Sequence, residues 1–298
     1  MPRKDPFADA SGPLEEPGPP SVASRRADYA AYVTTLAGCK DPRIAAAFAA
    51  VERERFCGAG PWKIATGAGY VATDSNDAGG VYQNVAVGLI AERGLNNGEP
   101  SSHAFWLDAL AAQPGERVVH VGAGAGYYSA ILAELVGPSG RVDAFEIEPG
   151  LAKEARENLR GRANVVVHAC SGAIGKLPEA DIIYVNAGAS RISESWLDAL
   201  AAHGRLMVPL TPDHGIGGML LITRASADHF GARFVSGAVF FPCADARDAA
   251  EAARLKEAFA KGGAKKVRVL RRDDQFDAST WFKGEGWRLC EDPSSLAR

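Results

Sequence analysis

Apolar residues recur at helical spacing in two segments near the start of the chain, "RRADYAAYVTTLAG" (25–38) and "DPRIAAAFAAVERERF" (41–56). In the second, Asp41 stands before Pro42, the arrangement of a capping acid followed by a proline in the first helical position. The periodicity then breaks. Residues 57–80 scatter glycines among mixed side chains, which predicts loops or irregular strands suited to forming a substrate rim.

From Pro100 to Leu210 helical and strand patterns alternate. "SSHAFWLDALAAQ" (101–113) has a helical apolar face and predicts that Phe105, Trp106, Leu107 and Leu110 pack into the core. After Pro114 and Gly115 come the strand "ERVVHVG" and the helix "YYSAILAELVG", closed by glycine. The strand "RVDAFEI", the helix "PGLAKEARENLRG", the strands "NVVVHA" and "ADIIYVNAG", the helix "SESWLDALAAHG" and the strand "RLMVPLT" follow. Strands this continuously apolar are covered on both faces, so the order predicts an α/β fold with a doubly wound, Rossmann-like, mostly parallel sheet. N-terminal helices precede it. Beyond Thr211, "MLLITRAS", "ARFVSGAVFFPC", a charged helix at 246–263 and two late strand candidates predict further elements that lengthen the sheet or pack on its edge. The expected divisions are a flexible tail over 1–24, a helical and irregular rim over 25–95, a ligand-binding domain over 96–248 and the extension over 249–298.

Composition narrows the classes of partner. With 298 residues, 47% hydrophobic, the chain can bury a large core, and a net charge of −3 gives no field for nucleic acid or an anionic membrane surface. Cys39, Cys57, Cys170, Cys243 and Cys290 are odd in number and form no CxxC pair, which argues for reduced thiols and against zinc or a disulfide framework. No His, Cys and Asp cluster has metal-ligand spacing, so no metal is expected. The first 20 residues are rich in proline and acids without an apolar core, and no 18-residue uncharged apolar run occurs. The expectation is a soluble, cytoplasmic protein without a signal peptide or membrane span.

The most informative chemistry is "VVHVGAGAGYY". Gly122, Gly124 and Gly126 follow a strand and open a helix, where a backbone without side chains lets a ligand approach closely. Their spacing is GxGxG, whereas a dinucleotide fingerprint has its third glycine one position later, which is Tyr127 here. That favours S-adenosylmethionine over NAD, and no hydride-transfer constellation supports NAD. Glu146, at the end of the next strand, is placed to accept hydrogen bonds from both ribose hydroxyls. Asn186, at the end of "DIIYVNAG", points by position either into the switch-point crevice or into a turn. His120 reads as a satisfied core histidine.

The order of segments resembles the protein-L-isoaspartate O-methyltransferase family over about 51–248. The segment V-P-R-x-x-F of that family is matched by "VERERF", Y-x-D/N-x-A/P-L by "YQNVAV", and V-L-E-I-G-T-G-S-G-Y by Val118 to Tyr127. D-x-I-I-V-T-A-A falls on Asp181 to Gly188, G-G-R-L-V-x-P-V on His203 to Leu210, and Y-V-P-L-T-D is similar to "FFPCAD". The hallmark G-Q-T-I-S-Q-P falls on Gly98 to Ala104, keeping Gly98 and Ser102 but replacing the rest with Glu99, Pro100, Ser101, His103 and Ala104. An acid two residues before the first glycine becomes His120, and a G-D-G adenine contact becomes Cys170-Ser171-Gly172.

The resemblance implies a class I S-adenosylmethionine-dependent methyltransferase of the protein-repair type, acting on a carboxylate of isoaspartyl residues in a protein or peptide. Cofactor contacts then fall on Gly122, Ala123, Gly124, Gly126 and Tyr127, on Glu146 with Ile147, and on Ser171, Gly172 and Asn186. Ser102 is the group expected to orient the acceptor. His103 is the base if the acceptor is a hydroxyl or amine. Ser101 reads as the helix N-cap or as a substrate contact, and Asn84 as a substrate contact or a turn cap. Two further readings stay open: the same chemistry on another acceptor, such as a small molecule or a peptide aspartate, and a catalytically silent fold that binds a nucleoside or a protein.

Overall fold

The computed structural model describes residues 20–291, so the expected tail over 1–19 and the last seven residues of the extension lie outside the described residues. Residues 22–24, assigned to the tail above, are the first turn of a helix. Ser21 caps α1 (Val22–Ala37) by accepting from the Ser24 amide at 3.1 Å, and the helix stops at Gly38 with φ of 66°. Asp41 caps α2 (Pro42–Ala50) as its position predicts, and a single 3₁₀ turn spans Arg53–Phe56.

The stretch after Cys57 folds into two small antiparallel pairs. Strand β1 (Lys63–Thr66) pairs with β2 (Gly69–Ala72), and β3 (Gly88–Ile90) with β4 (Leu95–Asn96). Next come α3 (Pro100–Leu110), β5 (Arg117–Val121), α4 (Tyr127–Val136), β6 (Arg141–Phe145), α5 (Pro149–Asn158), β7 (Val165–His168), β8 (Ala180–Val185), α6 (Glu194–Ala199) and β9 (Leu200–Leu210). The chain continues through β10 (Gly217–Arg224), β11 (Phe230–Ala238), α7 (Ala249–Lys261), β12 (Val269–Arg271), β13 (Thr280–Lys283) and β14 (Arg288–Cys290).

One sheet of ten strands runs β13-β14-β12-β11-β10-β9-β8-β5-β6-β7. The five strands from β7 to β9 are parallel, and from β9 outward every pairing is antiparallel. The extension joins this sheet directly, with Phe230 opposite Leu270 and Gly231 opposite Val269. Residues 200–203, expected to end a helix, instead begin β9. Leu200 pairs with Ala180, so sheet pairing overrides the helical preference of the two alanines that follow.

Alternation along each central strand sends side chains into two cores. Val118, Ile182 and Tyr184 meet Val33, Phe48, Leu107 and Ile131 from α1 to α4, whereas Val119, Val121, Ile183 and Val185 meet Trp196 of α6 and Leu255 of α7. Each such burial contributes about 1.5–3 kcal/mol. Phe105 does not join them: it is 36% exposed. The buried stripe of α3 is Pro100, His103, Ala104 and Leu107, flanked by Trp106 and Leu110, and position 105 falls on the opposite side of the helix. Among the described residues no helix is long and apolar enough to cross a membrane.

Candidate active site

The chain crosses from β5 to β6 and β7 on one side and then returns from β7 to β8 on the other side of β5, and this reversal opens a crevice beyond the C-terminal ends of the strands. A cavity of about 720 Å³ lies there. Its floor is the bend between β5 and α4, where Gly122, Gly124 and Gly126 have φ of 75°, 56° and 98°, a region that side chains disfavour. A Cβ on Gly122 would stand 3.2 Å from the Asn186 carbonyl, one on Gly124 3.0 Å from Leu89, and one on Gly126 2.8 Å from Leu159. The bend is fixed by the Phe145 carbonyl at the end of β6, which accepts from the amides of Gly122 (2.9 Å) and Ala123 (3.1 Å).

Glu146 faces this bend. Its Oε2 accepts from the Gly124 amide at 2.6 Å and its Oε1 from the Glu148 amide at 2.9 Å. The side chain is nearly buried, and burial raises its pKa against the pull of those two amides. Each carboxylate oxygen keeps a further lone pair for a ligand hydroxyl. Ile147, 48% exposed, stands at the rim beside it. On the adjoining wall Ser171 Oγ accepts from the Ala173 amide (3.2 Å), and Gly172 packs so tightly that a Cβ would lie 2.8 Å from that of Phe145.

Asn186 also lines the cavity, held by its Nδ2 against His120 Nε2 at 2.8 Å. His120 Nε2 therefore accepts, and Nδ1 donates to Ser129 Oγ at 2.7 Å. Full burial pushes the His120 pKa down to about 3, so this strand-end histidine is neutral and satisfied. Asn186 Oδ1 is buried without a partner among the described residues, an acceptor still to be used.

The Tyr127 side chain belongs to the core. Its ring meets Phe48 and Phe56 and its hydroxyl lies 3.3 Å from that of Tyr29, so a ligand contact there would come through its main chain. His103 stacks on Tyr128 (3.7 Å between centroids, 9°) with Nδ1 2.7 Å from the Tyr184 hydroxyl. Burial, together with the fields of His120 and Arg53, holds its pKa well below the usual histidine value, which makes it a weak base. Its ring fills the space beside Gly98, where a Cβ would stand 2.2 Å from Nε2.

Neither serine of "SSHAFW" caps α3. Glu99 takes the N-cap position and Pro100 the first helical one, which moves Ser101 and Ser102 into the first turn. Asn84 reaches Ser101 and Glu99 from the lip, its Oδ1 accepting from the Ser101 amide (2.8 Å) and its Nδ2 donating to Ser101 Oγ (2.9 Å) and to Glu99 Oε1 (2.7 Å). Ser102 Oγ donates to Glu99 Oε2 at 2.9 Å. Among the expected site residues, Ser102 and His103 thus share one cavity with Gly122, Ala123, Gly124, Tyr127, Glu146, Ile147, Ser171, Gly172 and Asn186, whereas Gly126 packs against Leu159 outside its lining and Asn84 and Ser101 join it through Glu99.

Sequence reasoning missed Arg53, which is wholly buried yet pairs with no carboxylate among the described residues. Its guanidinium donates to the carbonyls of Val81 (2.5 Å), Gln83 (2.7 Å) and Val85 (2.6 Å) and lies over the rings of Tyr29 and Tyr127, at 5.4 and 5.8 Å. It therefore pins the lip that carries Asn84. Leu89 and Trp106, read above as rim and core, and the 240–242 stretch, read as the end of a strand candidate, also line the cavity. Their apolar character gave no signal that distinguishes a wall from a core. Among the described residues no group of three or more His, Cys, Asp or Glu is arranged to hold a metal.

A family model described as Protein-L-isoaspartate(D-aspartate) O-methyltransferase (PCMT) matches residues 33–248. A protein-L-isoaspartate O-methyltransferase of Ignicoccus hospitalis is 39% identical over 120 residues, 39% of this chain and 57% of that protein. One of Protochlamydia amoebophila is 29% identical over 215 residues, 69% of this chain and 90% of the other. The chain thus spans 57% and 65% of the length of the first two curated relatives it matches. In fold it is similar to a solved protein-L-isoaspartate O-methyltransferase, with a TM-score of 0.65, 19% identity, and 91% and 89% of the two chains covered. It is also similar to a Plasmodium falciparum protein of that description solved with S-adenosyl-L-homocysteine, with a TM-score of 0.60, 18% identity, and 74% and 98% covered.

Proposed function

Because the chain belongs to the protein-L-isoaspartate(D-aspartate) O-methyltransferase family, we propose that it transfers the methyl group of S-adenosylmethionine to a carboxylate, that of an L-isoaspartyl residue in a damaged protein or peptide. The observation that carries this reading is the three-glycine bend facing Glu146 across the switch-point cavity. The cavity suits the cofactor's parts. Glu146 has lone pairs for a ribose diol, Ile147 and Phe145 offer apolar surface to a base, and Ser171 supplies a hydroxyl beside it. The unpartnered Asn186 Oδ1 offers an acceptor to an ammonium group.

When bound, S-adenosylmethionine supplies an electrophilic methyl on a sulfonium; a carboxylate oxygen bonds to that carbon as the carbon–sulfur bond breaks, its electron pair passing to sulfur, and a methyl ester results. No proton moves, so a base is unnecessary, which agrees with the depressed basicity of His103. The work left to the protein is orientation and exclusion of water, and orientation alone lowers such barriers by ~7–11 kcal/mol. Ser102 Oγ, which lines the same cavity, and Asn84 Nδ2, which reaches its edge at Glu99, are the donors we assign to the acceptor carboxylate. In this reading residues 96–248 bind the cofactor, 25–95 supply the acceptor rim, and 249–298 support the sheet. The protein works in the cytoplasm on protein or peptide substrates, without nucleic acid, membrane or metal.

The test is incubation with methyl-labelled S-adenosylmethionine and an isoaspartyl peptide, followed by base treatment. Label released as methanol is the expected result. No release with the isoaspartyl peptide at high enzyme concentration removes the acceptor assignment.

A further inference from the structure

Glu99 has no part in the chemistry above, yet its side chain is placed where the acceptor is needed. As N-cap residue of α3 it makes no side-chain bond to the free amides of the first turn. Instead it accepts from Asn84 Nδ2 at 2.7 Å and from Ser102 Oγ at 2.9 Å. The donors are then used up. A serine hydroxyl has a single proton, and the Ser102 proton goes to Glu99. The two amide protons of Asn84 go to Glu99 and to Ser101 Oγ.

We propose that Glu99 sets the acceptor preference of this site as a resident carboxylate, occupying the donors of the acceptor so that an incoming carboxylate must displace it. This rests on the carboxylate-acceptor reading. Two carboxylates sharing these donors would repel each other at close range, and the surroundings do not relieve that repulsion. Among the described residues lining the cavity the one Lys or Arg is Arg93, already 2.5 Å from Glu148, while Glu146 and Asp245 add further negative charge. Glu99 is exposed, so its side chain has solvent to turn into when it yields. Small free carboxylates cannot offset the displacement. A carboxylate carried by a peptide can, through contacts elsewhere on the rim, where Val239 and Phe241 are exposed beside the cavity.

The experiment compares wild type with Glu99→Ala and Glu99→Gln, using labelled S-adenosylmethionine and an isoaspartyl peptide, with acetate as the small carboxylate. Both variants are expected to lower KM for the peptide about tenfold or more, equivalent to about 1.4 kcal/mol. In both, kcat should stay within about twofold and acetate methylation should rise. Titration with S-adenosylhomocysteine reports whether the cavity is intact. A merely structural role, in which Glu99 ties the lip to α3, predicts the opposite, a raised KM. An unchanged or raised KM in both variants overturns the proposal and leaves the methyltransferase reading standing. If no protein yields ester, calorimetric titration of the peptide against the S-adenosylhomocysteine complex decides. Tighter binding by Glu99→Ala upholds the proposal while the transfer reading falls, and equal or absent binding overturns it.

Discussion

The Glu146 Oε2 atom lies 2.6 Å from the main-chain nitrogen of Gly124, 22 residues earlier in the chain. The bond joins the end of β6 to the bend after β5, so the acid proposed to hold the ribose also sets the shape of the floor beneath it. Replacing Glu146 with Gln keeps the volume but removes the charge that strengthens hydrogen bonds to the diol. We expect S-adenosylmethionine to bind about 10- to 100-fold more weakly, the loss of about 1.5–3 kcal/mol that accompanies a hydrogen bond to a charged group. Isothermal titration measures it, and binding within twofold of wild type would remove Glu146 from the cofactor site.

A second prediction concerns acid stability. His120 is fully buried with its pKa pushed down to about 3 from an ordinary 6.5. As pH falls below 6.5 the unfolded chain takes up this proton before the folded one does. The stability held above pH 6.5 is therefore lost progressively toward pH 3. The share of His120 between pH 6.5 and 5 is about 1.5–2 kcal/mol, at about 1.4 kcal/mol per pH unit. Urea unfolding at a series of pH values should show a shallower acid slope for His120→Gln, whatever its absolute stability. A slope equal to that of wild type would contradict the assignment.

Arg53→Met should loosen the lip. The buried carbonyl of Val81 and the partly buried carbonyls of Gln83 and Val85 lose a charged donor, and an unmet buried acceptor costs about 1–3 kcal/mol. Relaxation and water entry reduce the sum, so a loss of about 3–5 kcal/mol in unfolding free energy is expected. Hydrogen exchange over 81–87 should accelerate more than over β5, and the acceptor KM should rise while cofactor affinity changes little. Uniform exchange across the chain would deny the lip its local anchor.

The face of α3 can be checked with a pair of substitutions. Leu107 is fully buried, and Leu107→Ala should cost about 2–5 kcal/mol. Phe105→Ser, on the outward face, should change stability by less than about 1 kcal/mol. Chemical unfolding of the two proteins side by side measures the difference, and equal losses would mean that α3 is rotated about its axis.

The parallel half of the fold was legible because its signals are local. Short apolar stretches, broken once each by His120, Asp143 and Asp181, mark β5, β6 and β8, and glycines at fixed intervals mark the bend. Glu146 could be placed by counting along the next strand. What escaped depends on long-range geometry. Leu200 joins β9 only because β8 lies beside it, and Phe105 is apolar yet turned outward by the phase of α3. Arg53 in "VERERF" looks like any surface charge in a helical run, and nothing local announces that three carbonyls 28 to 32 residues later converge on it. Glu99 was visible as a departure from a motif, whereas its grip on Asn84 and Ser102 needed the lip folded against α3.

The pairing of β12 with β11 reaches beyond the extension itself. Leu270 and Val269 pair with Phe230 and Gly231 at the start of β11, and Leu255, Val267 and Leu289 close the core beneath it. A chain cut after Asp248 would leave that strand with a row of open amides and carbonyls above a bared apolar face, the combination that invites one molecule to zip onto the next. The expected outcome is that a shortened protein sediments as aggregates where the full chain stays dispersed, residues 249–291 acting as a guard against self-association.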